Sequence, residues 1–211
     1  MPRPWSTLVA VGVAVGVLAG VTRPSDALAD SKLLARGRVE HPDFIVVERG
    51  VGFELRRYQP RLVAEVEVRG APQQATNAGF RILADFIFGN NTRAEDVAMT
   101  SPVDRRPAGD RWVITFTMPS KYTRDTLPRP NDARVRIREL PAAIFAVRQF
   151  TGSPDEDGVQ AEITALREAV VAAGHALAEA PPIYSRYDPP WTPASLRRNE
   201  VMLPIARLRA R

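Results

Sequence analysis

Apolar residues recur along this chain at one of two spacings, and the switches between them outline a fold. Leu62-Val-Ala-Glu-Val-Glu-Val68 alternates with period two, as a strand with one wet face does. Runs with similar β character occupy 44–48, 53–58, 97–103, 112–118, 135–140, 144–150, 183–187 and 199–205. Two longer stretches follow the helical period. One spans 73–88 and stops at Gly89-Asn-Asn91; the other spans 155–173 and stops at Gly174. Pro60 and Pro141 mark turns, and 122–132 reads as a proline-bearing loop.

The order strand, proline turn, strand, glycine, helix, strand, strand occurs twice. Glu54-Leu-Arg-Arg-Tyr-Gln-Pro-Arg-Leu-Val-Ala-Glu-Val66 lines up with Arg136-Ile-Arg-Glu-Leu-Pro-Ala-Ala-Ile-Phe-Ala-Val147. An internal duplication is the economical explanation. Two such halves can join their sheets edge to edge and cover open edges. The expected class is α+β: a strongly curved antiparallel sheet forming a distorted β-barrel from two βαββ halves, with two flanking helices.

The first helix is unusual. On a wheel of about 100° per residue, Ala75, Gly79, Ile82, Leu83 and Phe86 share the face that must pack on the sheet. Phe80, Ala84 and Phe88 form a second apolar stripe, with Asn77 and Ile87 beside it. Only Gln74, Arg81 and Asp85 make a compact polar wedge. Either a loop or tail buries this helix, or the second stripe is one wall of a groove. Covering two Phe side chains is worth roughly 3–6 kcal/mol. The second helix is ordinary: Ile163, Leu166 and Val170 face inward, and Glu156, Asp157, Glu162 and Glu168 face water.

The opposite wall would be the segment Tyr187-Asp-Pro-Pro-Trp191-Thr-Pro-Ala-Ser-Leu-Arg-Arg-Asn199-Glu-Val201. Its prolines fix φ and remove donors, which stiffens the loop. The loop offers one aromatic plate, Trp191, beside the guanidinium pair Arg197-Arg198. That combination suits a flat apolar ligand with acidic edges.

Composition narrows the chemistry. The 211 residues are 45% hydrophobic, enough for one domain with a substantial core, and the formal charge is +5. Basic residues are spread out, with no stripe interleaved with aromatics, so nucleic acid is not an expected partner. There is no cysteine, which excludes disulfides, thiolate chemistry and Cys-based metal sites. The N-terminus has a basic Arg3, an apolar run over 8–21 and Ala27-Leu-Ala29 before Asp30. This is the order of a secretory signal peptide, and the run is short for a membrane span. Residues 1–29 are therefore read as a signal peptide cleaved after Ala29, with an uncleaved membrane anchor as the alternative. Residues 30–43 are a linker, 44–205 the domain and 206–211 a tail. The Arg- and Ala-rich composition points to a bacterium, and so to a periplasmic or secreted protein.

Four motifs together resemble the SOUL haem-binding family: Phe53-Glu-Leu-Arg-Arg-Tyr58, Asn77-Ala-Gly-Phe-Arg-Ile-Leu83, Ala98-Met-Thr-Ser-Pro-Val103, and Tyr187-Asp-Pro-Pro-Trp191 with Arg198-Asn-Glu-Val201. The resemblance implies a distorted barrel of two βαββ halves that binds haem or another tetrapyrrole between the first helix and the loop before the last strand. By motif, the ligand-binding residues would be Asn77, Phe80, Arg81, Ala84 and Phe88 on the helix, and Trp191, Leu196, Arg197 and Arg198 on the loop. The arginines would pair with propionates through charge-assisted bonds.

Iron ligation is not expected to be strong. His41 lies before the first strand and His175 after the second helix, and both read as solvent-exposed. Met99 and Tyr187 are ligands only in principle, with Met99 read as core. The protein is expected to be a non-enzymatic monomer holding a small planar hydrophobic ligand, with membrane contact only through the N-terminal segment. Two other readings compete. One is a small-molecule hydrolase or effector-binding module using Glu200 in a central cleft, against which stands an ion pair of Glu200 with Arg56 or Arg57. The other is a protein or membrane interaction module using the second apolar stripe.

Overall fold

The computed structural model describes residues 39–209. In chain order the strands are β1 (Phe44–Gly50), β2 (Phe53–Tyr58), β3 (Arg61–Arg69), β4 (Val103–Ala108), β5 (Arg111–Thr117), β6 (Arg136–Leu140), β7 (Ala143–Thr151), β8 (Ala176–Leu177), β9 (Ile183–Arg186) and β10 (Arg198–Arg207). Helix α1 (Pro72–Ile87) separates β3 from β4, and α2 (Glu156–Ala172) separates β7 from β8. Pairing is antiparallel throughout, in the order β1-β2-β7-β10-β9-β4-β5-β3-β6, with β8 on β10.

This order carries the duplication. Exchange β2 with β6, β3 with β7, β4 with β9 and β5 with β10, and the path from β2 to β6 reads backwards unchanged. The pseudo-two-fold therefore lies between β4 and β9. Each half lends its first strand to the other, β2 pairing with β7 and β6 with β3.

The loan forces the sheet to curl. Only Gln59-Pro60 separates β2 from β3, and only Pro141-Ala142 separates β6 from β7. Yet each linked pair stands six places apart in the strand order. A flat sheet would hold those strands about 29 Å apart, whereas three Cα–Cα steps reach at most about 11 Å. The two short links draw the ends together into a half-barrel.

Directly opposed residues share a face, so the register sorts the sheet into two sides. On one side Val66, Ile114, Arg105, Tyr184, Val201 and Arg148 form a row. Both helices pack there. The Leu83–Phe86–Ile87 patch of α1 meets Ala64, Val66, Ile114 and Phe116, while Val159, Ile163, Leu166 and Val170 of α2 meet Leu55, Ala146, Val201 and Leu203. On the other side Glu65, Thr115, Asp104, Ser185, Glu200 and Gln149 form an unbroken polar row. Glu65, Thr115, Ser185 and Glu200 are buried with no helix over them, because the curl covers that face.

Local chemistry sets the helix ends. Pro72 starts α1, and the Gly89 conformation (φ 112°) ends it, leaving Phe88 as the cap. Asp155 caps α2 by accepting from the Gly158 N–H at 2.9 Å. The predicted 97–103 strand is displaced: the strand is β4, beginning at Val103. Its Asp104-Arg-Arg106 run hides the alternation because both faces of this central strand carry charge. The solvated acids predicted on α2 are partly engaged, since Glu156 meets Arg105 at 2.7 Å and Glu162 meets Arg148 at 2.6 Å. Residues 40–43, read as linker, pack on the domain: Glu40 pairs with Thr100, and the Gln59 N–H donates to the Asp43 carbonyl.

Gly79 is where α1 touches the sheet. A Cβ there would lie 2.4 Å from Ile114 Cγ1 and 3.3 Å from Val66 Cγ1. Helix propensity alone favours alanine by about 1 kcal/mol, but overpacking costs about 1–3 kcal/mol. Gly79→Ala is expected to lower stability in urea melts, with partial recovery when combined with Ile114→Val. A stabilised single variant contradicts the tight contact.

Candidate functional site

The second stripe of α1 is only partly open. Phe80 is half-buried, its ring edge-on to Phe116 at 5.4 Å, and Ala84 is also half-buried. Phe88 stays 52% exposed. Asn77 accepts from the Gln73 amide at 2.9 Å, and Arg81 Nε bonds the Asn77 carbonyl at 3.3 Å, leaving the rest of that guanidinium in water. Arg186 of β9 reaches the Gln73 amide oxygen at 3.2 Å and ties the start of α1 to the centre of the sheet.

The loop before β10 holds its apolar groups outward. Trp191 is 68% and Leu196 65% exposed. Both arginines predicted to meet propionates are instead used by the loop. Arg197 donates to the Thr192 carbonyl at 2.9 Å, to Ser153 Oγ at 3.1 Å and to the Pro190 carbonyl. Arg198 forks onto Asp188 at 2.8 and 3.0 Å, and its backbone N–H donates to the same carboxylate at 2.6 Å. The Arg198 bonds hold the Asp188 carboxyl below its usual range. The cause is local: a loop with three prolines has few backbone donors, so side chains must satisfy its carbonyls.

The inner face carries a charged network. Glu200 is 2% exposed and its oxygens accept from Arg56 at 2.9 Å, Gln149 at 2.8 Å and the Tyr187 hydroxyl at 2.7 Å. Arg56, also 2% exposed, bonds Glu54 at 2.9 Å and lies 4.4 Å over the Phe44 ring. The predicted ion pair is thus with Arg56, while Arg57 is exposed. Burial, then the Glu200 charge, push the Tyr58 hydroxyl up to about 12, and raise Tyr187 further still. Gln149, Thr151, Tyr187, Arg198 and Glu200 line a cavity of about 260 Å³. That is below the usual range for an organic ligand site, about 300–1,000 Å³. A second cavity of about 150 Å³ sits among His41, Gln59, Arg61, Thr100 and Tyr122. Neither is lined by α1.

The chain matches the SOUL heme-binding protein model over residues 39–204. It belongs to the SOUL haem-binding family. It is 28% identical to Heme-binding protein 1 of Xenopus laevis, over 82% of this chain and 88% of that protein. Among solved structures, the EcmrR C-terminal domain superposes with TM-score 0.59 at 11% identity, over 74% of this chain and 98% of that one. A hydrolase from Listeria innocua gives 0.50 at 12%, over 85% and 98%. These two likenesses concern the fold alone.

Within this SOUL chain the histidines are engaged. His41 Nδ1 lies 2.9 Å from the Ser101 carbonyl, and its ring is 5.6 Å from Tyr187. His175 is buried rather than solvent-exposed: its Nδ1 accepts from the Arg209 N–H at 3.2 Å, and its Nε2 is 3.4 Å from Glu48. Its position between α2 and β8, under the C-terminal residues, explains the difference. Met99 is half-buried against the α1 core.

Asp104, overlooked in the sequence, sits at the seam between the halves and accepts from Ser185 Oγ at 2.6 Å. Burial is the main reason its carboxyl is pushed up to about 6; Ser185 and Arg61 act against the rise, Glu200 and Glu65 with it. A carboxyl raised on folding binds its proton more tightly in the native state. Stability therefore falls as pH climbs from the ordinary Asp value towards 6 and stays reduced above it. Asp104→Asn is expected to stabilise the protein by about 1–2 kcal/mol at pH 7.5, the gain fading by pH 4. Urea melts at both pH values check this, and a pH-independent difference contradicts it.

Proposed function

We propose that this chain is an exported tetrapyrrole-binding protein, a carrier or buffer, that seats haem or a related planar ligand against the outer stripe of α1 and the Trp191 loop. The observation that carries the reading is the exposure of Trp191, Leu196 and Phe88 on elements that are themselves firmly held. Trp191 presents a plate to solvent while Arg197 and Arg198 fasten the backbone around it. A surface held this way loses little conformational entropy when a flat ligand docks. Family membership supports haem as the ligand. With both histidines engaged by the chain, contact rests on stacking and hydrophobic cover, and metal-free porphyrin is accepted as well. Export rests on residues 1–29, which lie outside the described residues.

The test is a haemin titration followed in the Soret band, on protein recovered from the exported fraction with its N-terminus at Asp30. Trp191→Ala and Phe88→Glu are expected to weaken binding about ten-fold or more each while leaving Tm within a few degrees. Phe80 is a poorer choice because its ring is part of the α1 packing. Unchanged affinity in both variants removes this site. Concentration-dependent self-association without haemin uptake favours the interaction-module reading instead.

The hydrolase reading has one observation in its favour, the position of Glu200 at the wall of the inner cavity. Against it, the carboxylate already accepts from three donors, one of them a buried guanidinium. Glu200→Gln removes the buried partner of Arg56 and leaves it only the Glu54 carboxylate, which is expected to cost about 1–3 kcal/mol in urea melts. Turnover of small esters by the wild type, lost in a variant of unchanged stability, reverses this assignment.

A further inference from the structure

If Arg197 and Arg198 are committed to the loop, a different cation must meet the acidic edge of the ligand. Arg105 has the attributes required. It projects from the middle of β4 on the helix-bearing face, opposite Tyr184 on β9, so it stands on the sheet floor at the seam between the two halves. Its guanidinium lies 4.7 Å from the Trp112 ring and 5.2 Å from the Tyr184 ring. The residue is 5% exposed, and its Nε has no hydrogen-bond acceptor. Among the described residues its one anionic partner is Glu156, at 2.7 Å from Nη2, whose side chain is 48% exposed.

The pair is asymmetric. The arginine is held beside two aromatic rings. The glutamate is a half-exposed group in the first turn of α2, where the helix dipole favours an acid with or without a partner. Glu156 can therefore swing into water at little cost. The desolvated guanidinium cannot remain without an anion. An incoming carboxylate can replace Glu156 with no change of net charge at the arginine.

The position also fits. Gly152 and Ser153 immediately precede α2; the Gly152 N–H donates to the Arg197 carbonyl, and Ser153 accepts from the Arg197 side chain. The Trp191 loop and the Arg105 guanidinium thus contact one five-residue segment, 152–156. We propose that Arg105 is the carboxylate-recognition residue of the tetrapyrrole site, and that Glu156 is an internal stand-in which a ligand propionate displaces. This rests on the tetrapyrrole reading and goes further by naming the group that reads the ligand's charge.

The experiment compares haemin with its dimethyl ester, which keeps the macrocycle and removes both carboxylates. Wild-type protein is expected to prefer haemin about ten-fold or more. Arg105→Met, which keeps the packing between the rings, is expected to abolish the preference while leaving ester affinity unchanged. Glu156→Ala is expected to lower the Tm of the free protein and to tighten haemin but not the ester. A purely structural Arg105–Glu156 pair would alter Tm in both variants without moving the acid-to-ester ratio, and that result overturns the assignment. Equal binding of haemin and ester by the wild type overturns it too but leaves tetrapyrrole binding intact. Binding of neither removes both proposals.

Discussion

Two dipeptides govern this architecture. Gln59-Pro60 and Pro141-Ala142 join strands that the pairing order sets six places apart, and a chain that short cannot reach across a flat sheet. The curl that results gives the sheet an inside. Once there is an inside, the polar row from Glu65 to Gln149 lies in a low-dielectric space and every charge on it must find a partner. The Arg56–Glu200 pair, the tyrosine hydroxyls around it and the raised carboxyl of Asp104 all follow from that enclosure.

The outer face obeys a different constraint. There the helices cover the sheet, and the loop before β10 must hold its own shape with three prolines among its residues. Rigidity and hydrogen bonding conflict in such a loop, because each proline that stiffens it removes a donor. Arg197 and Arg198 resolve the conflict by bonding the loop's carbonyls and its Asp188. The outcome is a tryptophan displayed to solvent on a stiff support, with the nearby positive charge already used.

Much of the fold was readable from period and punctuation. The period-two runs, the two helices and the repeated proline turn led to an α+β duplication, and the topology has that symmetry. β4 was misplaced because its inward and outward residues are both charged, which removes the alternation a reader relies on. The inner network was harder to see. Glu200 stood out as an acid on an apolar strand, but nothing in the order of residues brings Asp104, Ser185 and Gln149 into line with it; only cross-strand register does. The bonds Arg197 and Arg198 make within the chain were not readable, because a basic pair beside an aromatic looks the same whether its charges face a ligand or the loop's own carbonyls. His175 looked exposed for a similar reason, since the C-terminal residues that cover it are distant in sequence.

The exchange of first strands has a consequence for how such a chain can arise. A polypeptide made of the first half alone would have the sheet order β4-β5-β3 with an open edge where β6 belongs, while its own β2 kept only β1 and lacked β7 on its other side. Two copies would satisfy each other by trading those strands, as in domain swapping. A half-length forerunner of this architecture would thus have been an obligate pair, and fusing two genes end to end would have turned an intermolecular embrace into a connection within one chain.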